Sequence, residues 1–250
     1  MNEEKFTGKA EAYAGARPQY SEEFISYLFD EVGFQEGCTV ADIGSGTGIL
    51  SRQLAENGAQ VTCVEPNSDM LAEAKVYLQE FENCMFIQRP AEDTGLEPCS
   101  VDFVTAAQAF HWFDMPRFRA ECQRVLRPKG KVILVWNHRC DDAPVILALA
   151  KVNREFCPAF KGFSGGMSEE SAQISAFFKD GVFCRRSFSN VQFSTRSQWI
   201  ERSLSSSYAP KKGDLQYDSY CLALGKLFDE YTTGGCIEVP YLTQSYVGEV

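Results

Sequence analysis

The fold of this chain is decided by one stretch, VADIGSGTGILSRQLAENGAQVTCVEP, which runs from Val40 to Pro66. A short apolar run opens it, and three glycines at alternate positions follow. A helix-like segment then leads to Gly58, and a second apolar run ends at Glu65. The order strand, glycine turn, helix, strand is that of a βαβ unit, in which the two strands lie parallel in one sheet.

The glycine spacing differs from that of the dinucleotide fingerprint. In G-x-G-x-x-G, a bound pyrophosphate rests on the N-terminus of the helix. Here the third glycine, Gly48, comes one residue early, and Ile49 stands where the fingerprint has glycine. Asp42 lies two residues before the first glycine, where a carboxylate repels phosphate and attracts a cation. We therefore expect a cationic ligand that carries no diphosphate.

A second acidic residue indicates a sugar. Glu65 follows Gly44 by roughly 20 residues and ends the second strand, the position at which an acid accepts hydrogen bonds from ribose hydroxyls. S-adenosylmethionine (SAM) combines a ribose, a positive charge and the absence of phosphate. An NAD-dependent oxidoreductase is the weaker alternative, because it requires glycine at Ile49 and no acid at Asp42.

Strands and helices alternate from the first helix, 21–32, as far as Trp136. Five strands are predicted in this part, at 39–43, 59–65, 85–89, 101–107 and 131–136. Such alternation indicates a doubly wound α/β fold with a parallel sheet covered on both faces. Its ligand crevice lies outside the carboxyl ends of the strands. Five residues at or just past those ends are therefore expected to converge: Gly44, Glu65, Ala91, Gln108 and Asn137.

The alternation breaks after Trp136. The pattern there predicts further helices near 143–157, 168–178, 195–207 and 214–231 and strands near 183–188 and 237–247. No linker or repeat is visible. We expect a core at 1–140 with an N-terminal cover helix, a helical lid that selects the substrate at 141–235, and a final strand at 236–250 that returns to the core sheet.

The ordered motifs resemble those of class I SAM-dependent methyltransferases. They are Val40–Gly48, Glu65–Leu71, Ala91–Asp93, Ser100–Phe103 and Glu121–Gly130. The resemblance covers about residues 35–136. It implies a Rossmann-like, doubly wound, seven-stranded sheet, mostly parallel with an antiparallel last strand. It also implies in-line transfer of the SAM methyl group to an acceptor, with S-adenosylhomocysteine as the product.

Two outer segments, Phe6–Tyr20 and Gln108–Asp114, are similar to small-molecule methyltransferases related to trans-aconitate methyltransferase. This resemblance implies a small-molecule acceptor such as a carboxylate or another oxygen or nitrogen nucleophile. It also implies that the N-terminal segment covers the cofactor, with Arg17 paired to the methionine carboxylate. A non-catalytic protein of the same fold that binds SAM or another nucleoside remains an alternative.

Residues of these motifs are the candidate cofactor ligands. They are Tyr13, Arg17, Asp42, Gly44, Ser45, Gly46, Gly48, Glu65, Pro66, Asn67, Met70, Ala91, Glu92, Gln108, Ala109 and Phe110. Asp42 either orients the turn or meets the ammonium group. Many relatives place an aspartate before Ala91 to accept from the adenine amine. Pro90 stands there in this chain, so Glu92 is the candidate replacement.

The acceptor side draws on the loop after the fourth strand and on the lid. Its candidates are His111, Trp112, Asn137, Arg139, Trp199, Arg202 and Tyr208. His111 is the candidate general base for an oxygen or nitrogen nucleophile, and a structural histidine is the alternative. A carboxylate acceptor needs no base. Arg139 and Arg202 are candidate partners for a substrate carboxylate.

Composition narrows the choice of partners. The chain has 250 residues and a net charge of −10, without the clustered lysine and arginine that nucleic acids or anionic membranes require. The ten cysteines form no CxxC pair and are expected to be reduced thiols. No signal-like start or membrane-length apolar run is visible. We expect a cytoplasmic protein without a metal site, and the sequence leaves the oligomeric state open.

Overall fold

The computed structural model describes residues 18–163, 172–206 and 208–250. One sheet lies at its centre, in the strand order β3-β2-β1-β4-β5-β8-β6, with β7 paired to β8. The strands are β1 (Thr39–Ile43), β2 (Gln60–Val64), β3 (Cys84–Ile87), β4 (Val101–Ala107), β5 (Leu126–Arg139), β6 (Cys184–Ser194), β7 (Thr232–Thr233) and β8 (Cys236–Gly248). The predicted α/β fold is confirmed.

Helices cover both faces of the sheet. Those in the described ranges are α1 (Glu22–Tyr27), α2 (Ile49–Glu56), α3 (Ser68–Tyr77), α4 (Met115–Val125), α5 (Pro144–Phe156), α6 (Ala172–Phe177), α7 (Arg196–Leu204) and α8 (Tyr217–Tyr231). A π-helical turn, Leu28–Val32, continues α1. Short 3₁₀ turns lie at Phe110–Trp112 and Lys179–Gly181.

The first five strands are parallel to one another, and β8 runs antiparallel to both of its long neighbours. This confirms the expected mostly parallel sheet with an antiparallel last strand. The sheet also contains β7, a strand of two residues that the sequence pattern did not predict. The turn Gly234–Gly235 joins it to β8, and both glycines have positive φ, which a tight hairpin requires.

The strands near β8 are longer than predicted. Register pairs run to Arg139↔Tyr241 in β5 and to Ser194↔Ile237 in β6. Polar residues interrupt the apolar pattern in both extensions, so no buried apolar run accounts for their length. The two strands continue there because they pair with the long β8. Because β6 lies within 141–235, part of the range predicted as a helical lid belongs to the sheet.

Three helices that follow β5, namely α5, α7 and α8, share a separate apolar core. Side chains of α5, α7 and α8 pack with the first half of β8 around Trp199, Leu224 and Ile237. None of the helices in the described part of the chain has both the length and the apolar character needed to cross a membrane. The same residues contain no cluster of three or more metal-ligating side chains.

Candidate functional site

A cavity of about 440 Å³ opens at the carboxyl ends of β1, β2, β4 and β5. Its walls bring together most of the predicted cofactor residues: Gly44, Ser45, Gly46, Glu65, Pro66, Asn67, Met70, Ala91, Glu92, Gln108 and Ala109. Trp112 and Asn137 from the predicted acceptor side also line it. Wall residues that sequence reasoning did not select include Pro18, Tyr20, Thr47, Phe113 and Arg117.

The glycine turn forms the floor of this cavity. Gly44 has a φ of +65°, and a Cβ placed on it would lie 2.7 Å from the Cβ of Ala109. The backbone of the turn therefore contacts the β4 loop as closely as glycine allows. Gly48 differs from the prediction, because it does not line the cavity. A Cβ on it would meet Leu78 and Ala74, so this glycine packs against α3.

Glu65 joins the turn to the next helix. Its side chain is buried, at 8% relative exposure. One carboxylate oxygen accepts the backbone N–H of Gly46 at 3.0 Å, and the other accepts that of Asn67 at 2.9 Å. Two backbone donors thus hold the carboxylate in one orientation at the cavity wall, where an acceptor for ribose hydroxyls was predicted.

Asn67 acts as the N-cap of α3. Its Oδ1 accepts the backbone N–H groups of Asp69 and Met70, each at 3.0 Å. This cap fixes the first turn of α3 against the cavity. Met70 in that turn is buried and lines the wall.

Asp42 lies beneath the turn and not on the cavity wall. It is 1% exposed, and its two oxygens accept the hydroxyls of Ser51 at 2.6 Å and Thr105 at 2.8 Å. Desolvation raises the pKa of Asp42 to about 6, although the two hydrogen bonds oppose that rise. The expected direct contact with an ammonium group is not supported. The position favours the other predicted role, in which Asp42 orients the turn by linking β1 to α2 and β4.

Thr47 is a polar cavity residue that sequence reasoning missed. It is 2% exposed, and among the described residues its Oγ1 has no hydrogen-bond partner. A buried hydroxyl without a partner costs free energy unless a ligand satisfies it. The signal was present in the sequence as the hydroxyl between the second and third glycines.

The loop after β3 forms the wall that contains Ala91 and Glu92. Glu92 accepts the backbone N–H of Asp114 at 2.8 Å and so ties this loop to the one after β4. Its carboxylate therefore has a structural role, and the contact of Glu92 with adenine stays a prediction.

Two further residues, Thr94 and Glu121, hold the same loop from behind. One oxygen of Glu121 accepts both the backbone N–H of Thr94 at 2.8 Å and its hydroxyl at 2.6 Å. Arg124 donates to both oxygens of Glu121. Burial raises the pKa of Glu121, but the hydrogen bonds from Arg124 and Thr94 outweigh burial and hold it at about 2. The motif Glu121–Gly130 resembles a methyltransferase motif, but the anchoring role of Glu121 was not predicted.

The residues of the loop after β4 point to different environments, some to the cavity and some to the apolar core. Gln108 has a φ of +56°, and its Nε2 donates to the carbonyl of Asn137 at 3.0 Å. Phe110, predicted to contact the cofactor, points into the apolar core, with its ring 4.9 Å from that of Phe177. Trp112 is 42% exposed and lines the cavity.

His111 lies on the outer side of this loop. It does not line the cavity, and its ring centroid is 4.8 Å from that of Trp112. Partial desolvation lowers the pKa of the imidazole below its ordinary value. The structure therefore does not place the predicted general base at the cavity wall.

Two of the predicted acceptor residues, Trp199 and Arg139, contact other side chains or backbone groups of the fold. Trp199 is 2% exposed and donates its Nε1–H to the carbonyl of Leu224 at 3.1 Å, so it is a core residue and not a substrate contact. The guanidinium of Arg139 lies over the rings of Phe163 and Tyr241.

Neither Tyr208 nor Arg202 lines the cavity. The hydroxyl of Tyr208 is 3.4 Å from Nδ2 of Asn153, and its ring packs against Phe160. Arg202 lies on α7, also away from the cavity wall. The predicted contacts of Tyr13 and Arg17 lie outside the described residues.

Comparison with known proteins agrees with this geometry. Residues 41–134 match the family model described as a methyltransferase domain. An uncharacterized methyltransferase of Mycobacterium tuberculosis is 39% identical over 128 residues, which cover 51% of this chain and 50% of that protein. The chain thus spans about half the length of the curated relatives it matches. Residues 41–134 are thus similar to methyltransferase domains.

Solved structures share the fold. A candidate type II methyltransferase from Anaeromyxobacter dehalogenans superposes with a TM-score of 0.62 at 22% identity, covering 93% of this chain and 97% of that one. Phosphoethanolamine N-methyltransferase 2 of Haemonchus contortus, in complex with phosphomonomethylethanolamine and S-adenosylhomocysteine, gives 0.56 at 18% identity, covering 100% and 59%. At these identities the likeness concerns the fold alone.

Proposed function

We propose that the chain is a SAM-dependent methyltransferase that acts on a small-molecule acceptor. The observation that carries the proposal is the carboxylate of Glu65, buried just after β2 and held by two backbone amides beside the glycine turn. An acid in this position suits the hydroxyls of a ribose. The methyltransferase domain match at 41–134 supports the same assignment.

The cavity residues fit a sulfonium nucleoside. Glu65 is the candidate ligand of the ribose, and Met70 and Ala91 supply apolar walls for an adenine ring. The buried hydroxyl of Thr47 is a candidate hydrogen-bonding partner for the methionine end of SAM. The rings of Trp112 and Phe113 lie on the same wall, and their negative faces favour a cation. When bound, SAM supplies an electrophilic methyl group.

The chain's own contribution to the reaction is alignment. Holding two reactants in line can lower the barrier by about 7–11 kcal/mol without covalent chemistry by the protein. Gln108 and Trp112, which follow β4 and line the cavity, are the candidates for shaping the path between acceptor and cofactor. A general base at His111 stays a prediction, and a carboxylate acceptor needs none.

A small-molecule acceptor is supported by two sequence segments. Phe6–Tyr20 and Gln108–Asp114 resemble the subgroup related to trans-aconitate methyltransferase, which makes organic acids the first acceptors to test.

Calorimetry tests the proposal directly. Titration with SAM and with S-adenosylhomocysteine should give saturable binding, whereas NADH should give none. Binding of NADH and not of SAM would overturn the assignment. A screen of small acids, amines and phenols with methyl-labelled SAM then separates an enzyme from a non-catalytic binder, because only an enzyme transfers label.

A further inference from the structure

A buried polar cluster lies at the edge of the cavity. Asn137 of β5, Thr243 of β8 and Asn190 of β6 are all buried. Asn137 and Thr243 are direct register partners, and Asn190 lies diagonally across from Thr243. The hydroxyl of Thr243 donates to Oδ1 of Asn137 at 2.6 Å and accepts from Nδ2 of Asn190 at 3.1 Å. We call these three residues the Asn137–Asn190–Thr243 clamp.

The clamp is directed at one backbone segment, 18–21. The carbonyl of Gln19 accepts from Asn190 at 2.8 Å and from Asn137 at 3.0 Å. The backbone N–H of Ser21 donates to the hydroxyl of Thr243 at 3.1 Å. Buried amides and hydroxyls are costly unless they are paired, so this segment satisfies the clamp and the clamp fixes the segment.

The opposite side of the segment is fixed by α2. Gln53 accepts the backbone N–H of Tyr20 at 2.9 Å and donates to its carbonyl at 2.8 Å. The segment therefore bridges the helix that follows the glycine turn and the antiparallel half of the sheet. Pro18 and Tyr20, between these anchors, line the cavity.

We propose that the Asn137–Asn190–Thr243 clamp positions Pro18–Ser21 as a wall of the cofactor cavity and thereby sets how long the cofactor stays bound. The inference rests on the proposed function. Asn137 extends the coupling, because its carbonyl accepts Nε2 of Gln108 on the acceptor side. Asn190 and Thr243 are positioning residues, since neither lines the cavity.

Thr243→Val tests the clamp, because it keeps the side-chain shape and removes the hydroxyl. The change removes three hydrogen bonds and leaves buried partners unpaired, so the segment 18–21 is held less firmly, and we expect a roughly tenfold weaker affinity for S-adenosylhomocysteine. Calorimetry should measure this loss, and stopped-flow displacement should show it as faster dissociation. Thr243→Ser, which keeps Oγ, should restore both values to within about twofold of the wild type.

Two controls separate positioning from general stability. Ser245→Ala removes another buried hydroxyl of β8 that is away from the cavity, and Val125→Ala creates a core cavity in α4. Both should leave the dissociation rate unchanged even where the melting temperature falls. Equal acceleration in Val125→Ala and Thr243→Val, or none in Thr243→Val, overturns the proposal. Asn190→Ala is judged by the same criteria if Thr243→Val does not fold.

Hydrogen exchange keeps the clamp and the proposed function distinguishable. In the ligand-free protein, Thr243→Val should accelerate exchange of the Ser21 amide, and Ser245→Ala should not. Unchanged exchange overturns the clamp. If the wild type binds neither SAM nor S-adenosylhomocysteine, the proposed function fails, and with it the part of the inference that concerns cofactor retention.

Discussion

The carboxylate of Glu65 accepts the backbone N–H of Gly46 at 3.0 Å, so the acid that follows β2 is bound to the turn that follows β1. The same contact orders the turn and fixes the carboxylate at the cavity wall.

Replacing Glu65 with glutamine should weaken SAM binding at least tenfold. The amide removes the negative charge and turns one acceptor into a donor that faces a backbone N–H, and a hydrogen bond to a charged group contributes about 1.5–3 kcal/mol. Calorimetry measures the effect. The exposed Glu80→Gln is the charge-matched control and should bind like the wild type. Equal affinities for both variants would remove Glu65 from the site.

Gly44→Ala should lower both stability and cofactor affinity. The new Cβ would meet Ala109 at 2.7 Å, in a backbone conformation with a φ of +65° that costs an ordinary residue about 1–2 kcal/mol. Gly37→Ala is the matched control, because Gly37 also has positive φ but nothing lies within 4 Å of a Cβ there. Denaturation should show a loss in both variants, and calorimetry a loss of affinity in Gly44→Ala alone.

Asp42 should make stability fall as pH rises from about 4 to about 6. Its folded pKa of about 6 lies above the unfolded value of about 3.9. The native state therefore binds the extra proton in this window, and its advantage disappears once the proton is lost. Asp42→Asn cannot titrate. The difference in unfolding free energy between the variant and the wild type should shift in the variant's favour by about 1–3 kcal/mol between pH 4 and pH 7. Urea denaturation at several pH values checks it, and a difference independent of pH would contradict it.

Glu121 should act in the opposite direction. Its folded pKa of about 2 lies below the unfolded value, so its stabilisation is present above about pH 4.3 and is lost as pH falls toward 2. Glu121→Gln should be less stable than the wild type at pH 7 and nearly equal to it near pH 2. Denaturation curves at both pH values measure this, with the exposed Glu97→Gln as control for removing a charge near Arg124.

The parallel half of the fold could be predicted closely. The boundaries of β1 and β4 agree with the predicted ranges, and β2 differs by one residue at each end. These strands are buried on both faces, so they appear in the sequence as continuous apolar runs bounded by glycine or polar turns. The glycine turn and Glu65 could be predicted because each directly follows one of these apolar runs.

The roles of aromatic and acidic side chains could not be predicted from type alone. Phe110 and Trp199 are aromatic residues, which often contact ligands, but their side chains lie in apolar cores. Asp42, on β1, has the charge of a cation ligand, yet its two oxygens accept the hydroxyls of Ser51 on α2 and Thr105 on β4. The long-range partners of the clamp, such as Ser21 with Thr243, leave no local pattern in the sequence.

The place of β8 between β5 and β6 has a consequence for biosynthesis. The ribosome releases β6, residues 184–194, well before β8, residues 236–248, yet β6 pairs only with β8 among the described strands. Until β8 joins the sheet, β6 has no neighbour among the described strands. The backbone N–H of Ser21 also cannot yet donate to the hydroxyl of Thr243. The nascent chain can therefore assemble its five parallel strands early, while the wall of the cavity formed by Pro18 and Tyr20 is fixed only after β8, which follows β6 in the chain, has joined the sheet.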